Sequence, residues 1–160
     1  MSRASARKTA APRIDLQAMP GHGIRRLQQV AVALFMQESA AHGVTPVQYA
    51  VLQTLAQQPG IDQRRLARAV SFDTSTIGGV VDRLEARGLV TRSLSAEDKR
   101  VRLLHLTADG EALLAELVPG MQRTQDRILE PLSAAERKEF MRMVQAVVAH
   151  HREVEGPANG

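Results

Sequence analysis

Apolar positions along the chain recur mainly at helical spacing and are interrupted by Gly, Pro and capping residues. Between Gly21 and His42, Ile24, Leu27, Ala31, Leu34 and Phe35 form one stripe, which Gly43 ends. "TPVQ" predicts a new helix start, with Thr45 as N-cap, Pro46 at the first helical position and Gln48 completing a capping box. That helix runs to about Gln58 and stops at "QPG". Asp62 is placed to cap a short helix through about Val70, with Leu66, Ala69 and Val70 inward. Asp73 caps the next, "TSTIGGVVDRLEARG", which Gly88 closes. Its Ile77, Val80, Val81 and Leu84 fall at i, i+3, i+4 and i+7, so Ser75, Thr76, Gly79, Asp82 and Arg83 share the opposite face. Two short capped helices joined by a tight turn are a helix-turn-helix pattern.

The pattern then changes to two β-like runs, "VTRSL" and "VRLLHL", around a charged tip that no core can accept. Leu89 and Val90 anchor the first strand, and Leu104 and Leu106 the second. Thr107 reads as the N-cap of a further helix, although Gly110 is a weak helix former. In it Leu114, Leu117, Met121, Ile128 and Leu132 lie near a helical stripe. Pro119–Gly120 predicts a kink or break there, because an interior Pro costs about 3 kcal/mol. "SAAE" at Ser133–Glu136 opens a last helix to about His151, with Phe140, Val144, Val147 and Val148 on one face. The expected fold is mainly α with a small β wing. It comprises a polar tail at 1–19, an N-terminal helix at 20–44, a winged helix-turn-helix lobe at 45–110, C-terminal helices at 111–152 and a frayed end at 153–160.

Composition narrows the function classes. Aromatics make up only 2% of 160 residues against 44% hydrophobic, which favours aliphatic helix packing. Cysteine is absent, removing disulfides, thiolate metal sites and cysteine redox chemistry together. No apolar run approaches the ~18 residues of a membrane span, and residues 1–13 lack a signal-like apolar stretch, so a cytoplasmic location is expected. The net charge of +4 is uneven. Arg3, Arg7, Lys8 and Arg13 give the tail +4, residues 62–102 carry nine basic against six acidic residues, and residues 103–160 carry six against nine. A basic middle and tail beside an acidic C-terminal part fit a polyanion-binding surface, or ordinary surface variation.

Two features bear on that choice. Thr74, Ser75 and Thr76 bring hydroxyls and free backbone N–H groups to a helix start, suited to phosphates and base edges. Gly78 and Gly79 each cost about 1 kcal/mol relative to Ala, so they serve either close approach to nucleic acid or close helix packing. At the hairpin tip, Arg100 is placed to enter a narrow minor groove, with Asp98 two residues away to orient it, while Lys99 and Arg102 add charge. The alternative is a solvated turn. His22, His42, His105, His150 and His151 are scattered, so no metal site is expected. No Ser-His-Asp spacing, phosphate loop or metal motif points to an enzyme or a cofactor.

The order and spacing of these parts, "LARAVSFDTSTIGGVVDRLEARGLVTRSLSAEDKRVRLLHLTADG", resemble the MarR family of bacterial transcriptional regulators. "DKRVRLLHLTADG" follows that family's wing pattern of Asp, two basic residues, three variable positions, Leu-x-Leu-Thr and Gly, with Lys99 in place of a frequent Arg. "RLEARGLV" matches the end of its recognition helix. The likeness reaches in helix order from about Ile24 to about Val148.

The resemblance implies a homodimer with interleaved N- and C-terminal helices and two winged lobes on a pseudo-palindrome of double-stranded DNA. Thr74, Ser75, Thr76, Gly79 and Arg83 would face the major groove, and Arg100 the minor groove with Asp98 as its partner. Half-sites would lie roughly 34 Å apart. It also implies a small aromatic acid as effector, bound between dimer helices and lobe; the family's cysteine-based peroxide sensing is excluded here. An anion would want the cations of "HGIRRLQQ", where His22, Arg25, Arg26 and Gln29 share a stripe, and Tyr49 and Gln53 could add a ring edge and an amide. A hydroxylated benzoate- or nicotinate-like acid fits such a set. Otherwise Arg25 and Arg26 serve intersubunit salt bridges and Tyr49 is core. The competing function is a winged-helix module that binds protein without reading DNA.

Overall fold

The computed structural model describes residues 14–155. Six helices run in order: α1 (Pro20–Ser39), α2 (Pro46–Gln57), α3 (Gln63–Ala69), α4 (Thr74–Ala86), α5 (Ala108–Ile128) and α6 (Ala134–Glu155). Three strands, β1 (Ile61–Asp62), β2 (Val90–Leu94) and β3 (Arg102–Leu106), form one antiparallel sheet in the order β1-β3-β2. The fold is thus mainly helical with a small wing, as the periodicity indicates.

Local chemistry sets most boundaries. Thr45 and Gln48 exchange the two bonds of a capping box at the start of α2. Asp62 accepts the backbone N–H groups of Arg64 and Arg65, and Asp73 caps α4. Gly43 and Gly88 end helical segments at φ +59° and +72°, a left-handed conformation that side chains resist. The core lies under the lobe, where Ile77, Val80, Val81 and Leu84 of α4 meet Leu52 and Leu55 of α2, Leu66 of α3 and Leu104 of β3, all essentially buried. Burial of this kind makes truncation of Leu84 to Ala cost about 2–5 kcal/mol.

Four expectations need correction. β1 was not anticipated; the Gly60 N–H bonds to the Leu104 carbonyl at 2.9 Å, which pairs Ile61 with Leu104 and Asp62 with Leu103. In α3, Ala67 rather than Ala69 is buried, because the chain reverses at Ser71 (φ 58°) and the Phe72 N–H closes on the Ala67 carbonyl. Of the kink or break expected at Pro119, the break does not occur, and α5 continues through it. Pro119 and Ala115 lie on the exposed face, where water can serve the carbonyl that loses its donor. The opposite face buries Leu114, Leu117, Met121 and Thr124, which offsets the cost. Finally, most of the expected tail lies outside the described residues, yet Leu16–Ala18 forms a 3₁₀ turn capped by Asp15, and at the other end α6 reaches Glu155.

α1 packs on α5, fastened by Glu38, which accepts from Arg123 at 2.8 Å and approaches Arg127 at 3.5 Å. Much of the remaining apolar surface has no cover among the described residues. Ile24, Leu27 and Val30 of α1 and Met141, Val144, Val147 and Val148 of α6 are exposed.

Candidate nucleic-acid interface

The start of α4 is organised by Asp73. Its carboxylate accepts from the Thr76 hydroxyl at 2.5 Å, the Thr76 backbone N–H at 2.8 Å and the Ser75 hydroxyl at 3.0 Å. The Thr76 hydroxyl, then its N–H, then the Ser75 hydroxyl hold the Asp73 pKa down to about 2. Ser75 and Thr76 are exposed, but their hydroxyl protons are committed to Asp73, so they offer lone pairs outward. Thr74 is exposed beside them, and its carbonyl accepts from Gln63 Nε2 at 3.2 Å.

The two helical glycines differ in purpose. A Cβ on Gly78 would lie 3.0 Å from Gln63 Nε2, so this glycine admits the Gln63 side chain between α3 and α4. A Cβ on Gly79 would meet only Arg83 Nη1, at 3.5 Å. Gly79 therefore leaves an uncrowded strip of helix, with the exposed Arg83 folded along it.

Sequence reasoning missed the residue that fixes the wing to this helix. Arg92 of β2 bonds to Glu85 and, at 2.6 Å, to Asp82, and its own side chain is only 14% exposed. Burial pulls its pKa down, but the bond to Asp82 and the charges of Glu85 and Asp82 outweigh that and raise it. Asp82 and Glu85, three apart near the end of a helix followed by Arg92, were the available signal.

At the tip of the hairpin, Asp98 and Arg100 form a closed unit. Asp98 accepts from the Arg100 backbone N–H at 3.0 Å, Nε at 3.2 Å and Nη2 at 3.3 Å. The Arg100 side chain and then its N–H lower the Asp98 pKa. The Arg100 side chain is nevertheless 92% exposed, so it projects while being aimed from one side. Lys99 and Arg102 are exposed on the same hairpin. Ser75, Thr76, Gly79 and Arg83 thus share the side of α4 away from the core, Thr74 is exposed at its first turn, and Asp98 to Arg102 stand on the wing.

The anion-binding candidates are not gathered in one subunit. Arg25 lies 3.4 Å from His22 Nδ1, Arg26 donates to Gln17 at 3.3 Å, and Gln29 is exposed. Tyr49 is half-buried against Phe35, with ring centroids 5.9 Å apart, and burial raises its hydroxyl pKa. Gln53 is half-buried on α2. From Phe35, Gln29 is roughly 9 Å and His22 roughly 20 Å along the α1 axis. Arg87, just past the end of α4, donates to the carbonyls of His42 (2.9 Å) and Gly43 (3.1 Å) in the connection between α1 and α2.

Comparison with known proteins agrees with this geometry. The model of the MarR family matches residues 44–101, which hold α2 to the wing tip. The transcriptional regulator HosA of Escherichia coli is 37% identical over 127 residues, covering 79% of this chain and 93% of HosA. The PcaV transcriptional regulator of Streptomyces coelicolor, solved with its natural ligand, superposes with a TM-score of 0.82 at 36% identity, covering 89% of this chain and 100% of that one. BpsR of Bordetella bronchiseptica, whose DNA binding is regulated by 6-hydroxynicotinic acid, superposes with a TM-score of 0.82 at 31% identity, covering 86% and 98%. Among the described residues, no helix is long and apolar enough to cross a membrane.

Proposed function

Because the chain belongs to the MarR family of transcriptional regulators, we propose that it works as a homodimeric repressor, released from a pseudo-palindromic operator by a small aromatic acid. The observation that carries the reading is an exposed polar side of α4 in a lobe whose wing carries an exposed Arg100 aimed by Asp98. α4 enters a major groove, with Thr74, Ser75, Thr76 and Arg83 toward bases and phosphates and Gly79 allowing close approach. Arg100 enters the neighbouring minor groove, where negative potential concentrates. Lys99 and Arg102 add attraction, and Asp98 keeps the guanidinium in place.

The bare apolar stripes of α1 and α6 supply the dimer contact, since a single chain leaves them in water. The effector site forms where a partner covers α1. A small acid cannot span the roughly 15–20 Å of α1 between the two groups of candidates. Arg25 and Arg26 of one subunit therefore take the carboxylate with His22 and Gln29 beside them, and Tyr49 and Gln53 of the other subunit close the site. The regulation of BpsR by 6-hydroxynicotinic acid supports an effector of that chemistry, a hydroxylated nicotinate or benzoate. The Arg87 link between α4 and the end of α1 offers a path by which movement of α1 reaches the DNA-binding helix.

Selection of duplexes from a random pool, followed by titration with hydroxybenzoates and 6-hydroxynicotinic acid, tests this reading. A two-fold symmetric site whose binding weakens with one acid is expected. Arg100→Ala should reduce affinity and flatten the salt dependence by about 0.9 in log–log slope per wing. Failure to enrich any sequence would overturn the DNA reading; enrichment with no response to any acid would remove the effector alone.

A further inference from the structure

Between the first turn of α3 and the wing lies an open groove lined by Asp62, Gln63, Arg64, Arg100, Val101 and Arg102. Pairing of β1 with β3 creates it, because Asp62 opposite Leu103 sets the first turn of α3 beside the base of the wing. Gln63 joins this groove to α4: it lines the groove, donates to the Thr74 carbonyl at 3.2 Å, and occupies the space left by Gly78. Thr74, Gln63, Arg64 and the hairpin arginines therefore form one continuous surface.

The charge in the groove is favourable to an anion. Arg64 and Arg102 are exposed, and neither has an acidic partner among the described ion pairs. Arg100 adds a third guanidinium, offset by Asp98. The acidic lining residue, Asp62, is occupied with the N–H groups of Arg64 and Arg65.

The duplex explains why such a groove belongs here. Adjacent major and minor grooves of a duplex are separated by one sugar–phosphate strand. A protein with α4 in the first and Arg100 in the second must lay that strand across whatever joins them, and what joins them is this groove. We infer that the groove between α3 and the wing seats the DNA backbone, with Arg64 and Arg102 as phosphate-binding residues that set position without reading sequence. The inference rests on the DNA-binding reading; it adds Arg64 of α3 to that reading and turns the general attraction of Arg102 into a defined phosphate contact.

The test uses the full-length dimer and a duplex obtained by selection. Each neutralised contact should make log K against log salt shallower by about 0.9, hence about 1.8 for the two subunits. At 0.1 M salt that corresponds to roughly a sixty-fold loss. Arg64→Gln and Arg102→Gln should each show this loss while keeping the base preferences of the parent protein. A methylphosphonate replacing the phosphate between the two contacted grooves should weaken the parent protein, yet have little further effect on Arg64→Gln. That duplex also decides the matter should a variant fold poorly. Unchanged slopes, or full binding to the methylphosphonate duplex, would overturn the inference. A changed base preference at one position would overturn it too, by making the residue a base reader. Absence of salt-dependent binding by the parent protein would instead strike the DNA reading itself.

Discussion

Replacing Gly110 by Ala should destabilise the protein, although helix propensity alone predicts the reverse. Gly110 sits in the first turn of α5, where Ala would gain up to about 1 kcal/mol. A Cβ at this position, however, would lie 2.1 Å from the backbone carbonyl oxygen of Leu89. Ordinary carbon–oxygen contact demands more than about 1 Å of additional separation. That carbonyl is not free to retreat, since it accepts the Thr107 N–H at 3.1 Å while the Thr107 hydroxyl bonds to the neighbouring Gly88 carbonyl at 2.6 Å. Overpacking of this sort costs about 1–3 kcal/mol, and loss of the two bonds about 1 kcal/mol each. After the propensity gain, the net loss is about 2–4 kcal/mol. For a chain of this size that lowers Tm by roughly 4–16 °C, at about 2–4 °C per kcal/mol. Thermal and urea unfolding followed by circular dichroism, at one fixed protein concentration, measures it. An unchanged or higher Tm would refute the claim that α5 is pinned against the start of β2.

Gly79→Ala should behave oppositely: its Cβ meets only the flexible end of Arg83, so the fold gains about 0.5–1 kcal/mol while operator affinity falls. Higher Tm with undiminished binding would show that the backbone at 79 does not approach DNA. Asp73→Asn keeps a capping acceptor and removes the charge. Since folding lowers the Asp73 pKa to about 2, the carboxylate stabilises the fold above its unfolded value and loses that advantage as pH falls through about 2. Urea midpoints of the two proteins should therefore differ at neutral pH and converge toward pH 2 (persistent separation would contradict the cap assignment). Arg92→Met should cost about 1–2 kcal/mol and reduce operator affinity, because Asp82 and Glu85 then no longer tie β2 to α4. A destabilised variant with parental affinity per folded molecule would show that the wing needs no such tie.

What was legible in the sequence was local. Thr45, Asp62, Asp73 and Thr107 each announce a helix because their side chains bond to N–H groups two or three residues on, a range that a linear reading covers. The α4 core face followed equally well, since one helix fixes the phase of all four residues. Contacts between distant segments were not legible. β1 has two residues and no period, and exists because Leu104 lies across from Gly60. Gly110 looked like a weak helix former, and only the approach of Leu89 gives it a purpose. Pro119 does not break α5 because its cost is offset by a buried face on the other side of the same helix. In the candidate site, Asp98 and Arg100 were readable as neighbours, whereas Gln63 and Arg64 acquire their place through sheet pairing. The proposed effector residues are split between the outer part of α1 and α2, so their assembly depends on contacts beyond one subunit.

The three bonds between Asp98 and Arg100 have a kinetic consequence. A long arginine in water samples many rotamers, and freezing one on association costs about 0.5–1.5 kcal/mol. Here Asp98 biases the side chain toward one direction before any partner arrives, at a site that remains almost wholly in solvent, and so lowers part of that cost. With Arg100 as the proposed minor-groove contact, fewer encounters with a duplex are lost to a misdirected side chain, and the speed of capture rests more on diffusion and charge.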